Sequence, residues 1–180
     1  MREGDELELT GYGIRVDLPR GWEGRIYKRP EGDPTLHAGN FPLPVEDGDF
    51  GSRALAAMGS GGAFVVVTEY DRTLAGRGLF SQEAPAPMPA DSELDPMALQ
   101  RTRPGQFGLQ RFMTIGGRAF CVYVVVGMVP NPGELLAQAN GVLQTLSIVP
   151  PGIESQASVL AFQKATPPEP PVGPGPRRII

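Results

Sequence analysis

The chain has 180 residues, a hydrophobic fraction of 41% and a formal net charge of −4 at pH 7. This length suffices for one packed domain and a remainder, and the acidic balance excludes the basic surface that nucleic-acid binding needs. The single cysteine, Cys121, excludes an intramolecular disulfide and a multi-cysteine metal site.

The N-terminal sequence does not resemble a secretion signal. Residues 1–11 contain no apolar core of signal-peptide length and no lipid-attachment cysteine. No apolar run approaches the roughly 18–20 residues needed to cross a bilayer. Unless a leader has been trimmed, the sequence predicts a soluble, cytoplasmic protein, and its arginine-rich, Gly/Pro-rich composition suggests a bacterial source with a GC-rich genome.

The first part of the chain predicts short strands and one short helix. Alternation of apolar and polar side chains predicts strands over residues 7–9, 12–18, 25–28 and 35–41. Ser52 is the predicted N-cap of a helix over residues 53–58, which ends at Gly59. Residues 63–70, AFVVVTEY, are apolar on both faces and predict a central strand.

Two glycines mark the centre of the predicted fold. Gly116 and Gly117 separate two runs rich in β-branched and aromatic residues, and a Gly-Gly connection is typical of a β-hairpin. Residues 119–126 are apolar on both alternating faces, so this arm needs cover on both sides. We expect the rest of the fold to be built around it.

Residues 71–104 carry little strand or helix pattern. Three prolines exclude regular strand pairing within this stretch: Pro85, Pro87 and Pro89. Residues 95–100, which begin with Asp-Pro, predict a short helical turn. A loop of this length is often functional, so it is a candidate lid over a binding site.

The clearest helix follows the hairpin. Asn131 is the predicted N-cap, Pro132 occupies the first helical position and Glu134 is placed to close a capping box. Apolar side chains then form one stripe at helical spacing: Leu135, Leu136, Ala139, Val142, Leu143 and Leu146. This helix is predicted to cover one face of the sheet, and residues 147–149 are predicted to follow as an edge strand.

We expect a single α/β domain over residues 1–150, an additional helix within residues 151–165 and an extended Pro/Gly-rich tail over residues 166–180. The tail ends in a basic-then-apolar tip: Arg177, Arg178, Ile179 and Ile180. Apolar anchors beside charges on a tether are typical of a short linear motif, so this tip is the predicted partner-binding site. The alternative is a tail without a function of its own.

The order of elements resembles the Mog1/PsbP-like family over about residues 7–149. LPRGW at residues 18–22 and ELLAQANGVLQTLSI at residues 134–148 carry the resemblance. It implies an α+β fold in which a twisted, mainly antiparallel sheet is flanked by helices. It also implies a non-enzymatic role, because the family includes a nucleotide-exchange partner of a small GTPase, photosystem extrinsic subunits, envelope lipoproteins and effector chaperones. No functional residue of those proteins is matched here.

The residues that could carry chemistry are few. Cys121 would need His37 beside it to act as a nucleophile, but it lies within a valine-rich strand and is predicted to be core. His37 is predicted to make a structural hydrogen bond. Glu46, Asp47 and Asp49 lack the spacing of a calcium loop and are predicted to be solvated. The sequence therefore predicts no catalytic residues, no metal site and no cofactor.

Two aromatic residues lie close to a Pro/Gly turn. Trp22 and Tyr27 could form a surface that contacts a partner. The alternative is that the tryptophan anchors its turn on the core.

Three functions follow from these patterns. The first is a non-catalytic adaptor or accessory protein that binds a protein partner or larger assembly through its tail. The second is a carrier of a small ligand or peptide, with residues 71–104 as its lid. An enzyme that uses His37, Cys121 or the acidic loop is the least supported.

Overall fold

A computed structural model describes residues 7–153, which form eight strands and two α-helices. The strands are β1 Leu7–Gly11, β2 Ile14–Leu18, β3 Glu23–Tyr27, β4 Thr35–Gly39, β5 Ala63–Glu69, β6 Gln106–Ile115, β7 Arg118–Gly127 and β8 Ser147–Ile148. The helices are α1 Ser52–Ala57 and α2 Pro132–Thr145. Apart from residues 151–153, the predicted additional helix and the whole predicted tail lie outside the described residues.

The strands form two antiparallel sheets. The larger has the order β3-β4-β5-β7-β6, and the smaller has the order β1-β2-β8. The predicted α+β class with antiparallel sheet and helices is confirmed. The expectation of a single sheet is wrong, because β1 and β2 pair with each other and with β8 instead of joining the larger sheet.

Strands β5 and β7 form the centre of the larger sheet, and every residue in both is buried. On one face, side chains such as Val65 and Phe120 pack with α2 and β2. On the other face, Phe64 and Tyr123 pack with α1. The predicted cover on both faces is confirmed, and each large apolar side chain buried there contributes about 1.5–3 kcal/mol to folding.

The predicted hairpin is also confirmed. Ile115 pairs directly with Arg118, which leaves Gly116 and Gly117 as a two-residue connection. Their φ angles are 56° and 74°, the left-handed pair that a type I′ turn requires.

The predicted cap of α1 is wrong. Ser52 is the first helical residue, and Gly51 before it has a left-handed φ of 68°. The carboxylate of Asp47 instead accepts hydrogen bonds from the backbone N–H groups of Arg53 at 2.9 Å and Ala54 at 2.7 Å. The left-handed glycine turns the chain so that a side chain from the preceding loop reaches the helix and satisfies its first amides.

Helix α2 begins at Pro132, as predicted, but the capping box is not formed. The Nδ2 of Asn131 donates to Oε1 of Glu134 at 3.0 Å, and the Asn131 side chain makes no capping hydrogen bond to the backbone. The predicted edge strand after the helix is present as β8. No helix within residues 7–153 has both the length and the hydrophobicity needed to cross a membrane.

Residues 71–104 run along the outer edge of β6. Thr114 of β6 donates its backbone N–H to this segment at 2.8 Å and accepts a backbone N–H from it at 3.1 Å. Asp95 and Gly108 exchange a second pair of backbone hydrogen bonds, at 2.8 and 3.2 Å. The predicted helical turn is present as a 3₁₀ turn at Pro96–Ala98. The segment therefore covers the β6 edge of the larger sheet.

A buried ion pair joins β5 and β7 of the larger sheet. Arg118 and Glu69 have side-chain exposures of 0% and 1%. Their contact is bidentate, with Nε to Oε1 at 2.8 Å and Nη2 to Oε2 at 2.6 Å. This fork-to-carboxylate geometry satisfies both charges where no water can.

The other donors of Arg118 reach the smaller sheet. Nη2 donates to the carbonyl of Tyr12 at 3.0 Å, and Nη1 donates to the carbonyls of Gly13 and Val149, both at 3.3 Å. Tyr12 and Gly13 form the turn between β1 and β2, and Val149 follows β8. All five guanidinium donors thus have acceptors. Through them Arg118 links the larger sheet, which contains Glu69, to the β1–β2 turn and the end of β8 in the smaller sheet.

We expect Glu69→Gln to reduce the free energy of unfolding by about 3–5 kcal/mol, because it leaves the Arg118 charge buried without its partner. Urea unfolding at pH 7 measures this change. Glu8→Gln is the control, since it removes the exposed pair of Glu8 with Arg15 and should cost about 1 kcal/mol or less. Equal effects of the two substitutions would contradict the assigned role.

Candidate functional site

A cavity of about 520 Å³ lies at the β3 edge of the larger sheet. We name it the His37 cavity. Arg25 and Tyr27 of β3 and His37 of β4 line it, together with Arg29 just beyond the end of β3. The rest of the lining is residues 43–48 of the connecting loop and Arg53 of α1. The period-two alternation of a strand puts residues 25 and 27 on the same face, and residue 29 continues that spacing after the strand ends. His37 pairs directly with Arg25 across β3 and β4, which brings its side chain to that face too.

His37 is held at the floor of this cavity and is only 4% exposed. Its Nε2 lies 2.9 Å from the backbone carbonyl of Asp49 and 3.4 Å from the hydroxyl of Tyr27. Its ring makes edge contacts with the rings of Tyr27 and Phe64, at centroid distances of 5.3 and 5.2 Å. Because a carbonyl only accepts, Nε2 carries the proton, and His37 makes the structural hydrogen bond that the sequence predicts.

Burial sets the charge states of the two ring residues. It lowers the pKa of His37 below 6.5, against the hydrogen bond to the Asp49 carbonyl and the nearby carboxylates, which act to raise it. Burial, reinforced by the Asp49 carboxylate, raises the pKa of Tyr27 to about 12. Both rings are therefore neutral at pH 7, and the charge in the cavity comes from arginine and carboxylate groups.

The loop carboxylates have structural partners. Burial acts to raise the pKa of Asp47, but hydrogen bonds from the N–H groups of Arg53, Ala54 and Gly48 outweigh it and hold that pKa below its usual range. Asp49 forms an ion pair with Arg29. Within residues 7–153, no group of three or more His, Cys, Asp or Glu side chains is placed to hold a metal ion.

Two of the three arginines that line the cavity, Arg25 and Arg53, contact backbone carbonyls and not carboxylates. Arg25 donates from Nη2 to the carbonyl of Leu43 at 3.2 Å, and Arg53 donates from Nη1 to the carbonyl of Glu46 at 3.4 Å. In the described part of the chain, neither guanidinium forms an ion pair with a carboxylate. Each keeps most of its donors available on the same side of the sheet.

Cys121 lies away from this cavity, in the core. It is fully buried in β7, opposite Thr68 of β5, while His37 belongs to β4 on the far side of β5. Burial raises the pKa of the thiol to about 11, although Gln110 donates a hydrogen bond to its sulfur at 3.4 Å. The thiol is therefore protonated at pH 7 and is not paired with the imidazole.

The structure separates the two aromatic residues that the sequence places together. Tyr27 lines the His37 cavity, but Trp22 is only 7% exposed and packs in the core beside α2 and β2. Because its ring is buried, Trp22 does not provide the surface contact that the sequence suggested. Its position instead agrees with the alternative, in which the tryptophan anchors its turn on the core. The tail residues Arg177, Arg178, Ile179 and Ile180 lie outside the described residues.

The predicted lid does not lie over the His37 cavity. Residues 71–104 follow β6, whereas the cavity is beside β3, and these strands are the two opposite edges of the larger sheet. The backbone hydrogen bonds at Thr114 and Gly108 are the physical reason. The end of the segment, at residues 100–103, borders a second cavity of about 260 Å³ next to α1.

Sequence analysis did not find the three arginines of the cavity. A signal was present for two of them, because Arg25 and Arg29 alternate with Ile26 and Lys28, a spacing that favours one face of an extended segment. Their meeting with His37 depends on the register of β3 and β4, which the sequence pattern alone leaves open.

Comparison of the chain with protein-family models, with curated proteins and with solved structures gave no match. The Mog1/PsbP-like resemblance therefore stays a prediction.

We expect the His37 imidazole to titrate with a midpoint below pH 6.5, because burial disfavours its charged form. His37 is the only histidine in the chain, so one imidazole proton resonance followed by NMR against pH reports it. A midpoint at or above 6.5 would contradict this environment.

The same shift has a consequence for stability. Below about pH 6.5 the unfolded chain takes up a proton on His37 that the folded chain does not, so acidification should lower the free energy of unfolding. The loss should continue until the pH falls below the folded-state pKa. In the His37→Gln variant, the part of the slope of unfolding free energy against pH that comes from His37 should disappear between pH 7.5 and the folded-state pKa. Urea unfolding at several pH values measures this slope.

Proposed function

We propose that the chain is a non-catalytic binding protein that holds a small ligand in the His37 cavity. The observation that carries this proposal is the cavity itself, whose volume of about 520 Å³ falls within the range of about 300–1,000 Å³ common for small-molecule sites. Its lining combines an apolar wall with a few convergent polar groups, the combination that gives affinity and orientation together.

The positions of the reactive side chains support binding rather than catalysis. The Nε2 of His37 is engaged with the Asp49 carbonyl, and the Tyr27 hydroxyl donates to the carbonyl of Gly48 at 3.3 Å. The Cys121 thiol is separated from the imidazole by a whole strand. A nucleophile and its base need to be within hydrogen-bond reach of each other, and these groups instead stabilise the walls of the cavity.

The cavity is preorganised by contacts between its walls. Asp47 ties the loop to α1, Arg25 ties β3 to the carbonyl of Leu43, and the carbonyl of Asp49 accepts a hydrogen bond from the hydroxyl of Thr68 at 3.2 Å. A ligand that enters such a site orders little of the protein on binding, which favours affinity.

We expect the neutral dye Nile red to bind saturably and Val45→Ser to weaken that binding about fivefold or more, because apolar contact at the rim is lost. Val45 is 84% exposed, so the substitution should leave folding intact. Fluorescence titration measures the affinity. Leu79→Ser is the matched control, since Leu79 is 71% exposed and does not line the cavity. An equal loss in both variants, or no saturable binding by the native chain, would refute the proposal.

The adaptor function stays a proposal for the tail. If the tip at Arg177, Arg178, Ile179 and Ile180 binds a partner, deletion of residues 166–180 should abolish co-purification of that partner and leave the melting temperature nearly unchanged. Pull-down with the full and shortened chains, together with a thermal melt of each, measures both. Capture of the same partner by the shortened chain would remove the tail from the binding function.

A further inference from the structure

We propose that the ligand of the His37 cavity is an amphipathic organic oxyanion, a molecule in which a carboxylate or phosphate group is joined to an apolar chain. This inference rests on the proposed function and specifies its ligand. It follows from two neighbouring parts of the lining, one cationic and one apolar.

The cationic part is formed by Arg25 and Arg53, which approach the cavity from different elements, β3 and α1. Each donates one hydrogen bond to a backbone carbonyl, and a guanidinium has five donors. A carbonyl accepts a hydrogen bond but does not cancel the positive charge. Two arginine forks with remaining donors match the oxygens of a carboxylate or phosphate, and such charge-assisted bonds are about twice as strong as neutral ones.

The acidic groups near the cavity do not occupy these forks. The Asp47 carboxylate is bonded to amides at the start of α1, and the Asp49 carboxylate is paired with Arg29. Glu46 is exposed, and it is its backbone carbonyl that contacts Arg53. The Glu23 carboxylate, on the same strand as Arg25, accepts the backbone N–H of Leu43 at 2.9 Å. A ligand oxyanion can therefore bind Arg25 and Arg53 without displacing a carboxylate from an ion pair with either arginine.

The apolar part is the wall formed by Leu43, Pro44 and Val45. Leu43 is 8% exposed and forms its buried end, while Val45 is 84% exposed and forms its rim. A large exposed aliphatic side chain beside a cavity is stabilised when apolar surface covers it. Because Arg25 bonds to the carbonyl of Leu43, the cationic and apolar parts are contiguous, and one molecule with a charged head and an apolar chain contacts both.

Four probes with the same chain and different head groups test this inference: octanoate, octyl phosphate, octanol and octylammonium. The single imidazole of the chain lies on the cavity floor, so the shift of its proton resonance on titration reports occupancy of this site directly. We expect octanoate or octyl phosphate to bind about tenfold or more tightly than octanol, and octylammonium to bind weakest. Whichever anion binds more tightly identifies the oxyanion.

Variants locate the effect. Arg53→Gln should weaken binding of the preferred anion about tenfold and leave octanol unchanged, because only the head group loses a contact. Arg25→Lys keeps the positive charge but removes the paired guanidinium donors, so it should also weaken binding of the anion. Arg77→Gln is the control, since Arg77 is exposed and outside the cavity lining, and it should change neither affinity.

The outcomes separate this inference from the proposed function. Octanol binding as tightly as both anions, or an Arg53→Gln variant with native affinity for them, would overturn the oxyanion inference while Nile red binding still supported a ligand site. If no probe moves the imidazole resonance and Nile red does not bind, both fail together.

Discussion

The fold depends on one buried guanidinium. Arg118 bonds bidentately to Glu69 at the end of β5 and uses its remaining donors on the carbonyls of Tyr12, Gly13 and Val149. A buried charge is tolerated only when every donor has an acceptor. The turn between β1 and β2 supplies two of these acceptors, so its position relative to Arg118 is fixed. Tyr12 and Gly13 are the two-residue connection of this hairpin, and a type I′ turn needs positive φ at both positions, so Tyr12 has a left-handed φ of 52° although it has a side chain. The smaller sheet is thereby fixed beside α2, and the two together close one face of the larger sheet.

The loop beside the cavity is held by the same kind of arrangement on a smaller scale. It leaves β4, carries Asp47 back to the first amides of α1 and offers the carbonyl of Asp49 to both His37 and Thr68. These are hydrogen bonds between side chains and the backbone. They fix the conformation of an irregular segment, as backbone hydrogen bonds between strands fix a sheet. Because Asp47 bonds to these amides and Asp49 pairs with Arg29, neither carboxylate forms an ion pair with Arg25 or Arg53.

Much of the fold was predictable because it is encoded locally. The Gly116–Gly117 turn, the doubly apolar strands and the start of α2 at Pro132 depend on neighbours in sequence. The cap of α1 was not predictable in this way, because the Asp47 carboxylate reaches the helix only when Gly51 adopts a left-handed conformation. Nor was the role of Arg118, since its acceptors come from the start, middle and end of the described chain. The cavity needed the register of β3 with β4, which is a property of paired strands and not of either strand alone.

The path of residues 71–104 has a consequence for how the molecule behaves among its own copies. Strand β6 is ten residues long and lies at the edge of its sheet, where a bare row of amides and carbonyls would template the addition of another chain. The segment occupies that row at Thr114 and Gly108, and the prolines at 85, 87 and 89 have no N–H to offer outward. Proline content that looks like a break in the structure thus protects the sheet against aggregation.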